Sequence, residues 1–202
     1  MTNTHYYSKS QDNLESKPSD YVFNFKDHTF KFTTDIGVFS KDYIDYGSFV
    51  MLKEFKTNNL DYPILDMGAG YGPIGIVLST LYNKKTVMCE INERAYNLII
   101  KNIKQNNAIN AVAYHSDLYE AVNDQLFSSI ITNPPIRAGK QTVFAIYDGA
   151  YTHLVENGEL WVVIQKKQGA PSSKAHLEEL FGNCDIVAKD RGYYILKSIK
   201  RG

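Results

Sequence analysis

At 202 residues the chain is long enough for one well-buried α/β domain and short for two. Its 22 basic residues are balanced by 22 acidic ones, which excludes a global positive field, so any nucleic-acid contact must come from a local basic surface. No apolar run approaches membrane-spanning length and Met1-Thr2-Asn3-Thr4-His5 lacks the basic-then-apolar order of a signal peptide, so a soluble, cytoplasmic protein with no membrane partner is expected.

Residues 1–19 are polar, with serines, lysines and Pro18, and show no periodicity; they read as a flexible N-terminal arm. From there a single domain, residues 20–202, is expected, with residues 20–58 as an N-terminal extension. Tyr21, Phe23 and Phe25 alternate with Val22, Asn24 and Lys26, and Phe30 and Phe32 alternate with Lys31 and Thr33, which predicts a β-hairpin turning at Asp27-His28. A mixed stretch around Gly37 leads to a helix over Phe49 to Phe55.

The run Leu65-Asp66-Met67-Gly68-Ala69-Gly70-Tyr71-Gly72-Pro73-Ile74-Gly75 has the form of a strand ending in a glycine-rich turn that opens a helix, with Pro73 at the first helical position. Two cofactors compete for it. Gly70 to Gly75 satisfies the dinucleotide pattern G-x-G-x-x-G, with Glu90 at a fitting distance for a ribose-binding acid. The carboxylate of Asp66 beside the loop, and the helix-terminal N–H removed by Pro73, both disfavour a pyrophosphate. They suit a ligand with a positive centre, such as S-adenosylmethionine.

Thr86-Val87-Met88-Cys89-Glu90 reads as a short buried strand ending in an acid able to accept from both ribose hydroxyls; capping of the following helix, Arg94 to Asn106, is the alternative for Glu90. Val112 to His115 predicts the next strand, ending at Ser116-Asp117, and His115 is left out of the site. Cys89 and Cys184 lie far apart without the pairing of a zinc or redox motif, so buried thiols and no metal are expected.

Phe127 to Thr132 predicts a strand that runs into Asn133-Pro134-Pro135-Ile136-Arg137-Ala138-Gly139-Lys140. Successive prolines cannot continue a central strand, so the chain must turn a stiff corner there, with the Asn133 amide oxygen and the Pro134 carbonyl, pointing outward with no competing N–H nearby, as acceptors. The amine of an aromatic base or an amide is a poor nucleophile because its lone pair is delocalised. Two acceptors holding its hydrogens out of plane would aim that lone pair at an electrophilic carbon, a task of positioning and electrostatics alone. Arg137 and Lys140 place two cations beyond the corner, suited to nucleotide phosphates. A helix over Val143 to Leu154, a strand over Glu159 to Ile164, a helix over Leu177 to Phe181 and a hairpin of Asp185–Lys189 with Tyr193–Lys197 complete the chain. Lys166, Lys167, Gly169, Pro171, Ser172 and Lys174 read as a basic, mobile connection facing RNA.

The run D-x-G-x-G-x-G from Asp66 to Gly72 resembles motif I of the class I methyltransferases, and Asn133-Pro134-Pro135 matches [N/D/S]-P-P-[aromatic] of the amino-group methyltransferases, with Ile136 replacing the aromatic ring. Thr34 to Asp45 resembles the T-x-x-G-V-F-S-x-x-x-x-D stretch of bacterial small-subunit ribosomal RNA guanine-N2 methyltransferases, the RsmC-like family, in its short single-domain form. The resemblance implies a Rossmann-like α/β fold: a seven-stranded, mostly parallel sheet with helices on both faces and its last strand inserted antiparallel, plus the N-terminal hairpin. It implies S-adenosyl-L-methionine as cofactor, held by Asp66, Gly68, Gly70, Glu90, Ile91, Ser116, Asp117 and Asn133, with Phe39 and Ser40 from the preceding stretch. Asn133 and Pro134 would be catalytic, Pro135, Ile136, Arg137 and Lys140 would meet the substrate, and ribosomal RNA or the small ribosomal subunit would be the partner. Methylation of adenine N6 or a protein glutamine, and a non-catalytic RNA- or protein-binding module of the same fold, are the alternatives.

Overall fold

A computed structural model describes residues 15–38 and 43–202. The first two strands, β1 (Ser19–Phe25) and β2 (His28–Thr34), form a separate antiparallel hairpin. Its turn is Lys26-Asp27, one residue earlier than the sequence suggests, because Phe25 pairs with His28 and Lys26 takes the left-handed conformation at φ 51°.

After α1 (Tyr46–Glu54) come β3 (Ile64–Met67), α2 (Pro73–Leu81), β4 (Thr86–Glu90), α3 (Glu93–Gln105), β5 (Ala111–His115) and β6 (Phe127–Thr132). The chain then adds α4 (Lys140–His153), β7 (Leu154–Gln165), α5 (Ala170–Phe181), β8 (Asp185–Asp190) and β9 (Tyr193–Ile199). The main sheet has seven strands in the order β5-β4-β3-β6-β7-β9-β8. All pairings from β5 to β7 are parallel, and β9 inserts antiparallel between β7 and β8, as expected from the resemblance. The strand order reverses between β3 and β6, so the carboxyl ends of these two neighbours open a crevice of the kind in which ligands of open α/β sheets bind.

Side chains on the central strands alternate faithfully between two apolar layers. Met88, Ile131 and Trp161 face the layer shared with α1, α2, α3 and the hairpin, while Val87, Ile130 and Leu160 face α4 and α5. Both thiols are buried and unpaired. Among the described residues no helix is long and apolar enough to cross a membrane.

The hairpin docks through an arrangement that sequence periodicity does not reveal. Asn102 of α3 accepts from the Thr33 N–H and donates to the Thr33 carbonyl, each at 2.8–2.9 Å, and Asn106 does the same for Lys31 at 2.7–2.8 Å. One helical turn of about 6 Å between these residues matches the rise of about 6.8 Å between alternate strand residues. Two side-chain amides thus stand in for a neighbouring strand.

Two expectations change. The basic stretch from Lys166 to Lys174 is not a loose connection: a 3₁₀ turn, Lys166–Gln168, leads directly into α5, with Pro171 in its first turn, where a missing N–H costs nothing. Strand β7 begins at Leu154 and contains a register shift against β6 between Phe127 and Ser129, so the short excursion around Asn157, at φ 62°, belongs within it.

Candidate active site

The carboxyl ends of β3, β4 and β6 and the start of α1 border a cleft lined among others by Asp66, Gly68, Gly70, Glu90 and Asn133. The glycine loop builds its floor. Gly68 and Gly70 have φ of +74° and +61°, a region that side chains disfavour, and a Cβ on either would meet nothing within 4 Å. The space in front of this backbone is therefore clear of protein, which fits a ligand lying directly on the loop.

Glu90 is 6 % exposed and both of its oxygens are anchored: Oε2 accepts from Gly70 N and Oε1 from Asn92 N, each at 2.8 Å. The carboxylate is fixed in direction while keeping lone pairs for further donors, the requirement for gripping a pair of ribose hydroxyls. It does not cap α3; Asn92 does, accepting from Ala95 N. Burial pushes Glu90 up to about 7 against the lowering effect of its backbone donors.

Asp66 has a second duty that its sequence position conceals. Helix α2 starts on Gly72, which offers no side-chain cap, and Asp66 Oδ2 instead accepts from Gly75 N at 2.9 Å. Its charge sits against the positive end of α2, and burial, with Glu90 nearby, raises it to about 7.

Ile91, Ser116 and Asp117 line a second, more open depression beside the first, together with His115, Glu120 and Ala121. The Ser116 hydroxyl already donates to Leu118 O and accepts from Ala121 N, so it shapes the turn. His115 Nε2 lies 2.8 Å from the Ile91 carbonyl.

The proline corner departs from expectation at one atom. Pro135 has φ −74° and ψ 80°, and Ile136 N donates to the Pro134 carbonyl at 2.9 Å. This is an inverse γ-turn, so the Pro134 oxygen is not free of nearby donors as the double proline suggests; one of its two lone pairs is used. Pro134 and Pro135 are buried, Ile136 half-buried, and Arg137 and Lys140 exposed. The Lys140 ammonium lies 4.9 Å from the Phe144 ring centroid.

Asn133 is held by residues that the sequence did not single out. Its Nδ2 lies 3.2 Å from both oxygens of Asp45 and 3.1 Å from Ser48 Oγ. A carboxylate only accepts, so the amide must turn its NH₂ toward Asp45, and Oδ1 accepts no hydrogen bond among the described residues. Asp45 is at once the N-cap of α1, accepting from Ser48 N, and burial raises its pKa. The one sequence signal for it was its place at the end of the Thr34 to Asp45 stretch. Phe39 and Ser40, drawn from that stretch, lie outside the described residues. Another unforeseen contact joins the loop to the hairpin: Tyr71 Oη lies 2.6 Å from Tyr21 Oη, and Asn102 donates to the Tyr71 carbonyl.

Comparison with known proteins bears on this geometry. A family model described as the methyltransferase small domain matches residues 29–197. The chain is 46 % identical to the uncharacterized protein YbxB of Bacillus subtilis (strain 168), over 97 % of this chain and 98 % of YbxB. It is 28 % identical to ribosomal RNA small subunit methyltransferase C of Aliivibrio salmonicida, over 93 % of this chain and 55 % of that protein. Among solved structures, the 16S rRNA N2 methyltransferase RsmC of T. thermophilus, in complex with AdoMet and guanosine, superposes with a TM-score of 0.82 at 26 % identity, covering 93 % of this chain and 52 % of that one. The chain thus spans about half the length of the ribosomal RNA methyltransferases it matches.

Proposed function

The chain belongs to the methyltransferase small domain family, and from that premise we propose that it methylates the exocyclic N2 amine of a guanine in 16S ribosomal RNA, with S-adenosylmethionine as methyl donor. The observation that carries the reading is the Asn133 amide in the lining of the cleft floored by Gly68 and Gly70, tied by its nitrogen to Asp45 and Ser48 so that its oxygen is left for another donor.

The donor fits the residues present. Glu90 would hold the ribose hydroxyls, the bare backbone of Gly68 and Gly70 would carry the adenosyl and methionine parts, and Ile91, Ser116 and Asp117 would border the adenine. When bound, S-adenosylmethionine supplies a methyl group already activated on a sulfonium, so neither a metal nor a strong base is needed. The protein's own work is to place and polarise the amine. Asn133 Oδ1 and the remaining lone pair of Pro134 O accept its two hydrogens, which counteracts delocalisation and turns the nitrogen lone pair toward the methyl carbon. Ile136 offers apolar packing to the base, and Arg137 and Lys140 stand where an extruded nucleotide's phosphates would pass. The resulting cationic amine is acidic enough to lose its proton to water. Ribosomal RNA methyltransferase relatives and the cytoplasmic location of ribosomes agree with this assignment.

Labelled methyl transfer to small ribosomal subunits, naked 16S rRNA, DNA and release factor tests it. The expected result is N2-methylguanine in the ribosomal RNA. Methylation of glutamine or adenine instead would keep the reaction and replace the substrate.

A further inference from the structure

The β8–β9 turn carries a feature that hairpin geometry does not call for. It is a two-residue turn, since Asp190 pairs with Tyr193, and both central residues have positive φ: 43° at Arg191 and 84° at Gly192. Glycine, asparagine and aspartate are the ordinary occupants of such a turn, and an arginine at its first position is a strained choice. Such an outlier points to a use for the side chain.

The surroundings indicate what that use is. The Arg191 guanidinium carbon lies 4.9 Å from the centroid of Tyr46, and the Tyr46 ring lies 5.9 Å from that of Tyr193. Tyr46 follows Asp45, the residue that holds Asn133, and a Cβ added to Gly47 would come within 2.7 Å of the Tyr193 ring. The turn therefore leans over the start of α1, next to the acceptor corner. On the turn's other side, Gly192 O accepts from Lys166 N, which draws exposed Lys166 and Lys167 to the same place. Arg137 and Lys140 already stand after the proline corner. In a chain with no net charge, Lys166, Lys167 and Arg191 meet where β7 ends and β9 begins, while Arg137 and Lys140 follow the end of β6, next to β7 in the sheet.

We propose that Arg191, with Lys166 and Lys167, forms a second phosphate-binding element for single-stranded RNA, gripping the strand on the side of the target nucleotide opposite Arg137 and Lys140, with Tyr46 and Tyr193 as an aromatic floor for a neighbouring base. Guanidinium and ammonium groups flanking an extruded nucleotide would fix its backbone at both ends, while the aromatic pair tolerates any base. The element rests on RNA being the substrate.

The strain supplies the test. Arg191→Asn removes the cation and installs a residue that tolerates the left-handed conformation, so the variant should melt no lower than the wild type. Its affinity for a short single-stranded oligoribonucleotide should fall about three- to tenfold at moderate salt, and the slope of log affinity against log salt should shrink by about 0.7 for each phosphate that is no longer neutralised. The pair Lys166→Gln and Lys167→Gln, which leaves the turn untouched, should shrink the slope again, with S-adenosylmethionine affinity unchanged in all variants. Unchanged slope and affinity in both variants would overturn the element. So would a lower melting temperature for Arg191→Asn with an unchanged slope, which would make Arg191 a structural residue. If the wild type bound intact small subunits but no naked RNA, a ribosomal protein would be the partner; if it bound neither, the RNA reading itself would fail.

Discussion

Asp45 and Asn133, 88 positions apart in the chain, meet through both carboxylate oxygens and one amide nitrogen, and that meeting decides which end of the amide is left for another partner. Asp45→Asn offers a near-isosteric inversion. Asparagine caps helices as well as aspartate does, so its oxygen would stay on Ser48 N and its own NH₂ would confront Asn133. The Asn133 amide should then flip, presenting donors where acceptors are needed. Turnover should fall about 100-fold, the scale of removing one preorganised electrostatic partner, while calorimetric affinity for S-adenosylmethionine holds. Swapping the pair, Asp45→Asn with Asn133→Asp, should recover much of the loss, because the double variant again points an acceptor at the cleft. Failure of the swap to recover any turnover would refute the positioning role.

The buried carboxyls give the cleft a pH dependence of opposite sign for stability and for binding. Burial raises both Glu90 and Asp66 to about 7, so the protonated forms stabilise the cofactor-free fold. That contribution is complete below the ordinary carboxylate range and is lost as pH rises through about 7. Ribose hydroxyls need the ionised Glu90. Melting temperature without cofactor should therefore decline from about pH 5 to about pH 8, while cofactor affinity climbs over the same interval. Glu90→Ala should weaken the cofactor and flatten its affinity profile.

Gly70→Ala should separate folding from binding. The added methyl group meets no protein atom, so the variant should fold, with a loss of about 1 kcal/mol for a left-handed alanine. The methyl would occupy the space in front of the loop, and cofactor affinity should drop at least tenfold by calorimetry. Unimpaired binding would place the ligand elsewhere.

Asn102→Ala should act on both the hairpin and the loop. Asn102 is fully buried, and its removal leaves the Thr33 N–H, the Thr33 carbonyl and the Tyr71 carbonyl without this partner. A destabilisation of about 3 kcal/mol in chemical denaturation is expected, accompanied by weaker cofactor binding through Tyr71.

The parts of this molecule that were legible in its sequence share a local cause. The strands β4 and β6 show as buried apolar runs, the glycine loop as three glycines on alternate positions, and the proline corner as two residues that cannot continue a strand. Asp45, Asn102 and Arg191 were not legible, because each acts on a group distant in sequence: Asp45 on Asn133, Asn102 on Thr33 and Tyr71, Arg191 on Tyr46. The Pro134 carbonyl was misread for a related reason. Whether Ile136 N folds back on it depends on ψ of Pro135, which the ring does not fix. The start of α5 was missed because Pro171 marks a helix entry as readily as a loop.

The two amides that complete the edge of β2, Asn102 within α3 and Asn106 at its C-cap, also bear on the order in which the molecule assembles. A strand pairs with a strand wherever two backbones meet, but β2 can lock only onto a helix already wound, since Asn102 and Asn106 share one face only after the turn between them has formed. The hairpin is therefore expected to dock after α3 has formed, which amide exchange would show as earlier protection in α3 than in β2. A residue inserted between Lys31 and Thr33 would leave only one of the two amides in register with the strand, so the spacing across Lys31-Phe32-Thr33 should tolerate no change in length.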